Sequence, residues 1–206
     1  MYNPKQFQVS EIAPMHALIR AHNFGILVTQ HEGAPFATHL PFMLDAERGP
    51  YGTLLAHVAR PNPQWHDLAE GQEALAIFQG PHAYISPSWY TVAPSVPTWN
   101  YAIVHAYGTP RVVSGPAKLH AMLARLVETH ESGFAQPWRM DLPADYMERM
   151  MRGVVGFELE ITRLEGKEKL SQNRSAEDRA GVVAALAPSA DPLAAAVAGM
   201  MEREER

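Results

Sequence analysis

Four short stretches of this 206-residue sequence crowd polar, cationic and aromatic residues into segments that packing alone would make apolar. In HVARPNPQW (57–65), Arg60 and Asn62 follow a strand-like run and precede a helix start, with His57 beside them. A guanidinium and free backbone amides at such a junction can hold a phosphate through charge-assisted bonds. The competing reading makes Arg60 a solvated surface charge and His57 a satisfied strand histidine. GPHAYISPSWY (80–90) joins a Gly-Pro turn to His82, Tyr84, Ser86, Ser88, Trp89 and Tyr90, groups suited to the edge and face of a ring. A packed aromatic corner would use the same residues. VPTWNY (96–101) sets Thr98, Trp99 and Asn100 at a strand entrance behind a proline-fixed loop, with the same two readings. KLSQNR (169–174) places Lys169, Ser171, Gln172, Asn173 and Arg174 between a strand and a capped helix, which by itself is the composition of a surface loop.

Other chemistry is excluded by what the sequence lacks. It has no cysteine, so disulfides, thiolate metal sites, iron–sulfur clusters and cysteine nucleophiles are ruled out. Ten histidines occur without HExxH, CxxCH or a clustered ligand set, so no dedicated zinc or c-type haem site is expected and the metal reading is none. A haem held by one axial histidine stays open. The 17 Lys+Arg against 22 Asp+Glu give a net charge of −5, which opposes sequence-independent binding to phosphate backbones. The loop 165–179 carries four cations and four carboxylates, which cancel, and no helix-turn-helix is apparent. No apolar run approaches the roughly 18 residues of a membrane helix, and no apolar leader follows Lys5. The expectation is a soluble cytoplasmic protein with no membrane partner.

The elements that must position these residues are mostly strands. Ser10 can cap a helix with Ile12, Met15, Leu18 and Ile19 near a 3.6-residue period, and Asn23–Gly25 supply its stop. FGILVTQ, PFATHLPFMLD and YGTLLAHVA read as an antiparallel meander punctuated by HEGAP and AERGP. A short helix is expected after Pro61, then strands at EALAIFQG, HAYIS and NYAIVHAYGTPRVV. Pro116 starts a helix bearing Leu119, Met122, Leu123, Leu126 and Val127; another runs from Ala144 to Met151. VVGFELEITRLEGKE is a last strand, and SAED offers capping-box spacing between Ser175 and Asp178. The fold class expected is mainly β with peripheral helices (α+β), a small closed antiparallel barrel filled by its own side chains, so that a planar ligand binds outside it. Residues 1–180 form the domain and 181–206 an Ala-rich helical tail, peripheral to the chemistry.

Taken in order with YNPKQF at the start and THLPF at 38–42, these motifs resemble the PaiB family of negative transcriptional regulators over residues 1–180. The resemblance implies the FMN-binding split β-barrel fold, FMN as cofactor, and a regulatory role that includes possible DNA binding. FMN presents a phosphate dianion, a polyhydroxyl chain and a flat ring, and each part calls for a different residue type. On this basis the cofactor-binding set is His57, Arg60, Asn62, His82, Tyr84, Ser86, Ser88, Trp89, Thr98, Trp99, Asn100, Lys169, Gln172 and Arg174. The resemblance also implies that KLSQNR lies near the flavin, contributed by a second subunit, with Lys169 and Arg174 neutralising the phosphate or polarising the ring edge. Because a filled barrel has no interior site, a homodimer with flavin at the seam is expected. An FMN-dependent oxidoreductase, with His82 and Tyr84 as proton donors to test, and a haem-binding split barrel are the alternatives.

Overall fold

The computed structural model describes residues 1–204. Its strands are β1 (Gln8–Val9), β2 (Phe24–His31), β3 (Ala34–Pro41), β4 (Met43–Asp45), β5 (Thr53–Ala59), β6 (Ala74–Ile85), β7 (Thr98–Val112) and β8 (Val154–Lys169). Its helices are α1 (Ile12–Ala21), α2 (Gln64–Ala69), α3 (Pro116–Glu131), α4 (Ala144–Arg152), α5 (Ala176–Leu186) and α6 (Pro192–Glu204). None of these is long and apolar enough to cross a membrane. The chain divides into two compact units, one of Met1–Ala21, Gln79–His105 and the residues from Glu165 on, the other of His22–Phe78 and Ala106–Leu164.

The hydrogen-bonded strand order is β3-β2-β6-β7-β8-β5-β4, with β1 pairing β8. The ladders β2–β3, β2–β6, β4–β5 and β5–β8 are antiparallel. The order is open, which corrects the expected closed barrel. The run read as one strand, PFATHLPFMLD, breaks at Phe42: β3 pairs with β2 up to Pro41, and β4 pairs with β5 from Met43. Pro41 has no N–H to offer a ladder, and the Phe42 amide bonds to the Asn23 carbonyl at 2.8 Å. The two ends of the order are therefore joined by one residue of chain rather than by a ladder.

In the second unit the β2–β3 hairpin turns on Glu32 (φ 50°) and Gly33 (φ 81°). A two-residue hairpin loop demands positive φ at both positions, and Gly33 meets that at no steric cost. Phe42, Phe78 and Phe157 are fully buried and pack edge to face, with centroids 5.3 and 6.4 Å apart from Phe42. Each such ring contributes about 1.5–3 kcal/mol by burial. Gly108 on β7 lies so close to β8 that a Cβ would sit 2.1 Å from the Glu160 carbonyl oxygen. Helix α3 starts at Pro116 as expected, but of its apolar residues only Met122 is fully buried, against Met43 and Leu55.

In the first unit the N-terminal segment is tied to the end of β8. Gln8 and Val9 pair with Lys167 and Gly166, the Met1 amino group pairs with Glu165, and Lys167 donates to the Tyr2 carbonyl at 3.1 Å. The Ala-rich end is packed rather than loosely appended. Val182 and Leu186 of α5 and Val197, Ala198 and Met201 of α6 form one core with Ala83, Ile85 and Leu170. Ser175 caps α5 by accepting from the Asp178 amide at 3.2 Å.

Candidate functional site

Lys169 ends β8 beside the first residues of β7, and its Nζ donates to Thr98 Oγ1 and to the Trp99 carbonyl, both at 2.7 Å. Arg174, at the far end of the same polar run, donates to Ser95 Oγ at 3.3 Å and lies 4.2 Å above the Tyr90 ring. All these partners are neutral. The two cations border a cleft of about 270 Å³ that Phe7, Tyr90, Val96 and Pro97 also line, and no lining residue is acidic. Burial, together with the charges of Lys167 and Arg174, pushes the Lys169 ammonium below its usual value. An anion in the cleft would relieve that repulsion. Binding pockets for whole drug-sized ligands run to about 300–1,000 Å³, so this cleft suits a phosphate and its adjoining chain better than a three-ring system.

The rest of the polar run braces the cleft. Gln172 closes its own turn, accepting from the Leu170 amide and donating to the Glu168 carbonyl, both at 2.7 Å. Asn100 is fully buried and bonds to Ser171 at 3.0 Å. Period-two alternation along β7 puts Thr98 and Asn100 on one face and Trp99 on the other. On that other side Trp99 meets Tyr84 and His82, with ring centroids 5.9 and 6.3 Å away. Tyr84 is 48% and Trp99 53% exposed, an aromatic platform open to solvent. Ser86 and Ser88 are occupied in a local 3₁₀ turn, where Ser86 Oγ accepts from the Ser88 amide and lies 2.8 Å from Ser88 Oγ. Trp89 packs against the α5–α6 core.

The remaining sequence-predicted residues lie in the second unit. Arg60 is exposed, with its guanidinium 5.4 Å from the Trp65 ring centroid and donating to the Val154 carbonyl at 3.3 Å. Like Lys169 and Arg174, it donates no hydrogen bond to a carboxylate among the described residues. Asn62 is engaged at both ends of its amide: its Nδ2 donates to Thr38 at 2.9 Å and its Oδ1 accepts from the Gln64 amide at 3.0 Å. The next two amides, of Trp65 and His66, are taken by the Asn62 and Pro63 carbonyls at 3.5 and 3.0 Å. The free amides expected at this helix start are thus largely used within the chain. His57 Nδ1 is buried with no hydrogen-bond partner among the described residues, and burial holds the imidazole below its usual pKa.

Phe7 and Tyr90 are cleft residues absent from the sequence-predicted set, although both fall in the conspicuous YNPKQF and GPHAYISPSWY stretches. A second polar cleft, of about 720 Å³, is lined by His31, His66, Asp67 and Glu70 among others. There Gln64 donates to Thr29 at 3.0 Å, Thr29 to Asp67 at 2.8 Å, and Asp67 bonds His31 Nδ1 at 2.8 Å. The bond to Asp67 holds the His31 imidazole above its usual value.

Residues 1–163 match the family described as "Putative FMN-binding domain". The sequence is 36% identical over 203 residues to the Bacillus subtilis protease synthase and sporulation protein PAI 2, covering 98% of this chain and 97% of that one. It is 32% identical over 214 residues to an uncharacterized protein of Emericella nidulans, covering 84% and 85%. Among solved structures, the FAD and heme binding protein of Mycobacterium smegmatis superposes with a TM-score of 0.62 at 17% identity, over 84% of this chain and 78% of that one. The flavocytochrome Anf3 of Azotobacter vinelandii gives 0.61 at 17% identity, over 84% and 75%. The structural likeness establishes a shared split-barrel fold, and the family match together with the Bacillus relative establishes that this chain belongs to the PaiB family of FMN-binding domains.

Proposed function

We propose that the protein holds FMN between two copies of itself and acts as a flavin-dependent regulator of the PaiB type. The observation that carries this is the hydrogen bonding of three cations: among the described residues Arg60, Lys169 and Arg174 all donate to neutral groups. A phosphate dianion is the kind of partner they lack. The cleft beside Lys169 and the Trp99 platform lie on opposite faces of β7, so one flavin using both kinds of contact takes them from different copies. We assign the phosphate to Arg60, with His57 and Asn62 beside it, and the KLSQNR cations to the cofactor of the other subunit. His82, Tyr84 and Trp99 offer the ring its apolar face. Residues 1–180 are the flavin-binding body, with the described residues from 181 on as a helical buttress. Bound FMN would supply redox chemistry that the side chains here lack.

The name of the Bacillus relative points to control of protease production and sporulation. A net charge of −5 disfavours direct attachment to DNA, so regulation passes through flavin occupancy or a protein partner in the cytoplasm. Isothermal titration with FMN and with riboflavin tests the assignment. Wild type prefers FMN; Arg60→Ala loses about 10- to 150-fold in FMN affinity, the equivalent of a charge-assisted contact worth about 1.5–3 kcal/mol. Lys169→Ala shows a smaller loss, and the double variant binds the two ligands equally. A double variant that still prefers FMN would overturn the phosphate assignment.

A further inference from the structure

The carboxylate of Asp178 is buried, 2% exposed, in the first turn of α5. Spacing from Ser175 suggests a capping box, in which this side chain would reach back to the cap. Only half of that box forms. Ser175 accepts from the Asp178 amide, whereas the carboxylate turns to a loop far upstream in the chain. Its Oδ1 accepts from the Thr91 amide at 2.7 Å, the Thr91 hydroxyl at 2.9 Å and the Val92 amide at 3.4 Å. Burial pushes its pKa up, but those three bonds and the nearby Arg174 charge outweigh that and hold it below the usual carboxylate value.

The anchored pair sits between the two partners of Arg174. Tyr90, whose ring lies under the guanidinium, immediately precedes Thr91, and Ser95, which accepts from it, closes the same loop. Ser95 in turn donates to the Val92 carbonyl at 2.6 Å. Val96 and Pro97 continue from the loop into the cleft wall. We propose that Asp178 is the positioning residue of the Lys169–Arg174 anion cleft: it clamps Thr91 and Val92 so that Tyr90 and Ser95 hold Arg174 toward a bound phosphate. The inference rests on the cleft being a phosphate site, as proposed above. It adds a residue that need not touch the ligand and that sets the preference for a phosphorylated one.

The test compares FMN and riboflavin affinities of the full-length protein for wild type, Asp178→Asn and Thr91→Val. Asp178→Asn lowers the FMN-to-riboflavin preference about tenfold, and Thr91→Val, which removes one of the three donors, lowers it about threefold. Riboflavin affinity changes little in either. Thr91→Val keeps the carboxylate and carries the test if Asp178→Asn fails to fold. A purely structural role would lower the melting temperature and leave the preference at its wild-type ratio, which would overturn the inference. A wild type with no preference for FMN would instead overturn the phosphate reading on which it stands.

Discussion

Replacing Asp67 with alanine removes the acceptor at the centre of the Gln64–Thr29–Asp67–His31 chain. Thr29 is 6% exposed and its hydroxyl donates to Asp67 at 2.8 Å. Thr29 keeps the bond it receives from Gln64 but loses the acceptor for its own proton in a site with little access to water. A bond of this kind to a charged acceptor contributes about 1.5–3 kcal/mol. At about 2–4 °C per kcal/mol for a protein of this size, the melting temperature falls by about 3–12 °C. The His31 pair adds a dependence on pH whose sign is fixed by the direction of its shift. Because Asp67 raises the folded-state pKa, the pair's contribution is complete below the ordinary value of 6.5 and is lost as pH rises through the raised one. Thermal denaturation of wild type and Asp67→Ala should therefore show a wider gap at about pH 5.5 than at about pH 9. Since α2 follows the Arg60–Asn62 segment directly, FMN affinity should fall with stability. A gap of equal size at both pH values, or a loss under about 1 °C, would refute the reasoning.

Three further perturbations probe other levels of the structure. Gly108→Ala puts a methyl group 2.1 Å from the Glu160 carbonyl oxygen; the cost should reach the top of the roughly 1–3 kcal/mol range for overpacking, read by urea denaturation, and a neutral result would show that β7 and β8 can part there. Ser175→Ala removes the α5 cap and should cost about 1 kcal/mol with an unchanged denaturant slope. His57 has the opposite sign from His31: burial lowers its pKa, so wild type loses stability as pH falls below 6.5 toward the depressed value. His57→Gln should flatten that part of the acid limb, and an unchanged acid profile would mean that the imidazole is solvated.

Much of the fold was legible because its signals are local. The HEGAP turn, Pro116 at a helix start and Ser175 at a cap each declare themselves within a few residues. The break at Phe42 did not, because a strand that changes partners keeps its alternation and only the neighbours differ. At the site, Lys169 and Arg174 were named through family resemblance, since their composition alone reads as a surface loop. Phe7 was passed over, and Tyr90 was read only as a group suited to a ring, because their place in the cleft depends on contacts across more than 80 residues of chain. Asn62 was assigned to the phosphate, but the Asn-Pro-Gln turn already hinted at its local use, since asparagine commonly bonds the amide two residues on. The Asp67–His31 pair spans 36 residues with no motif to announce it.

The claim that this protein is an FMN carrier is tested most directly by purifying it without added cofactor. Its visible spectrum, the mass of the chromophore released on denaturation and its molar mass by light scattering should then be recorded on one sample. The account predicts FMN at about one per chain in a dimer. Haem in place of flavin, or a colourless monomer that does not take up FMN on titration, would contradict it.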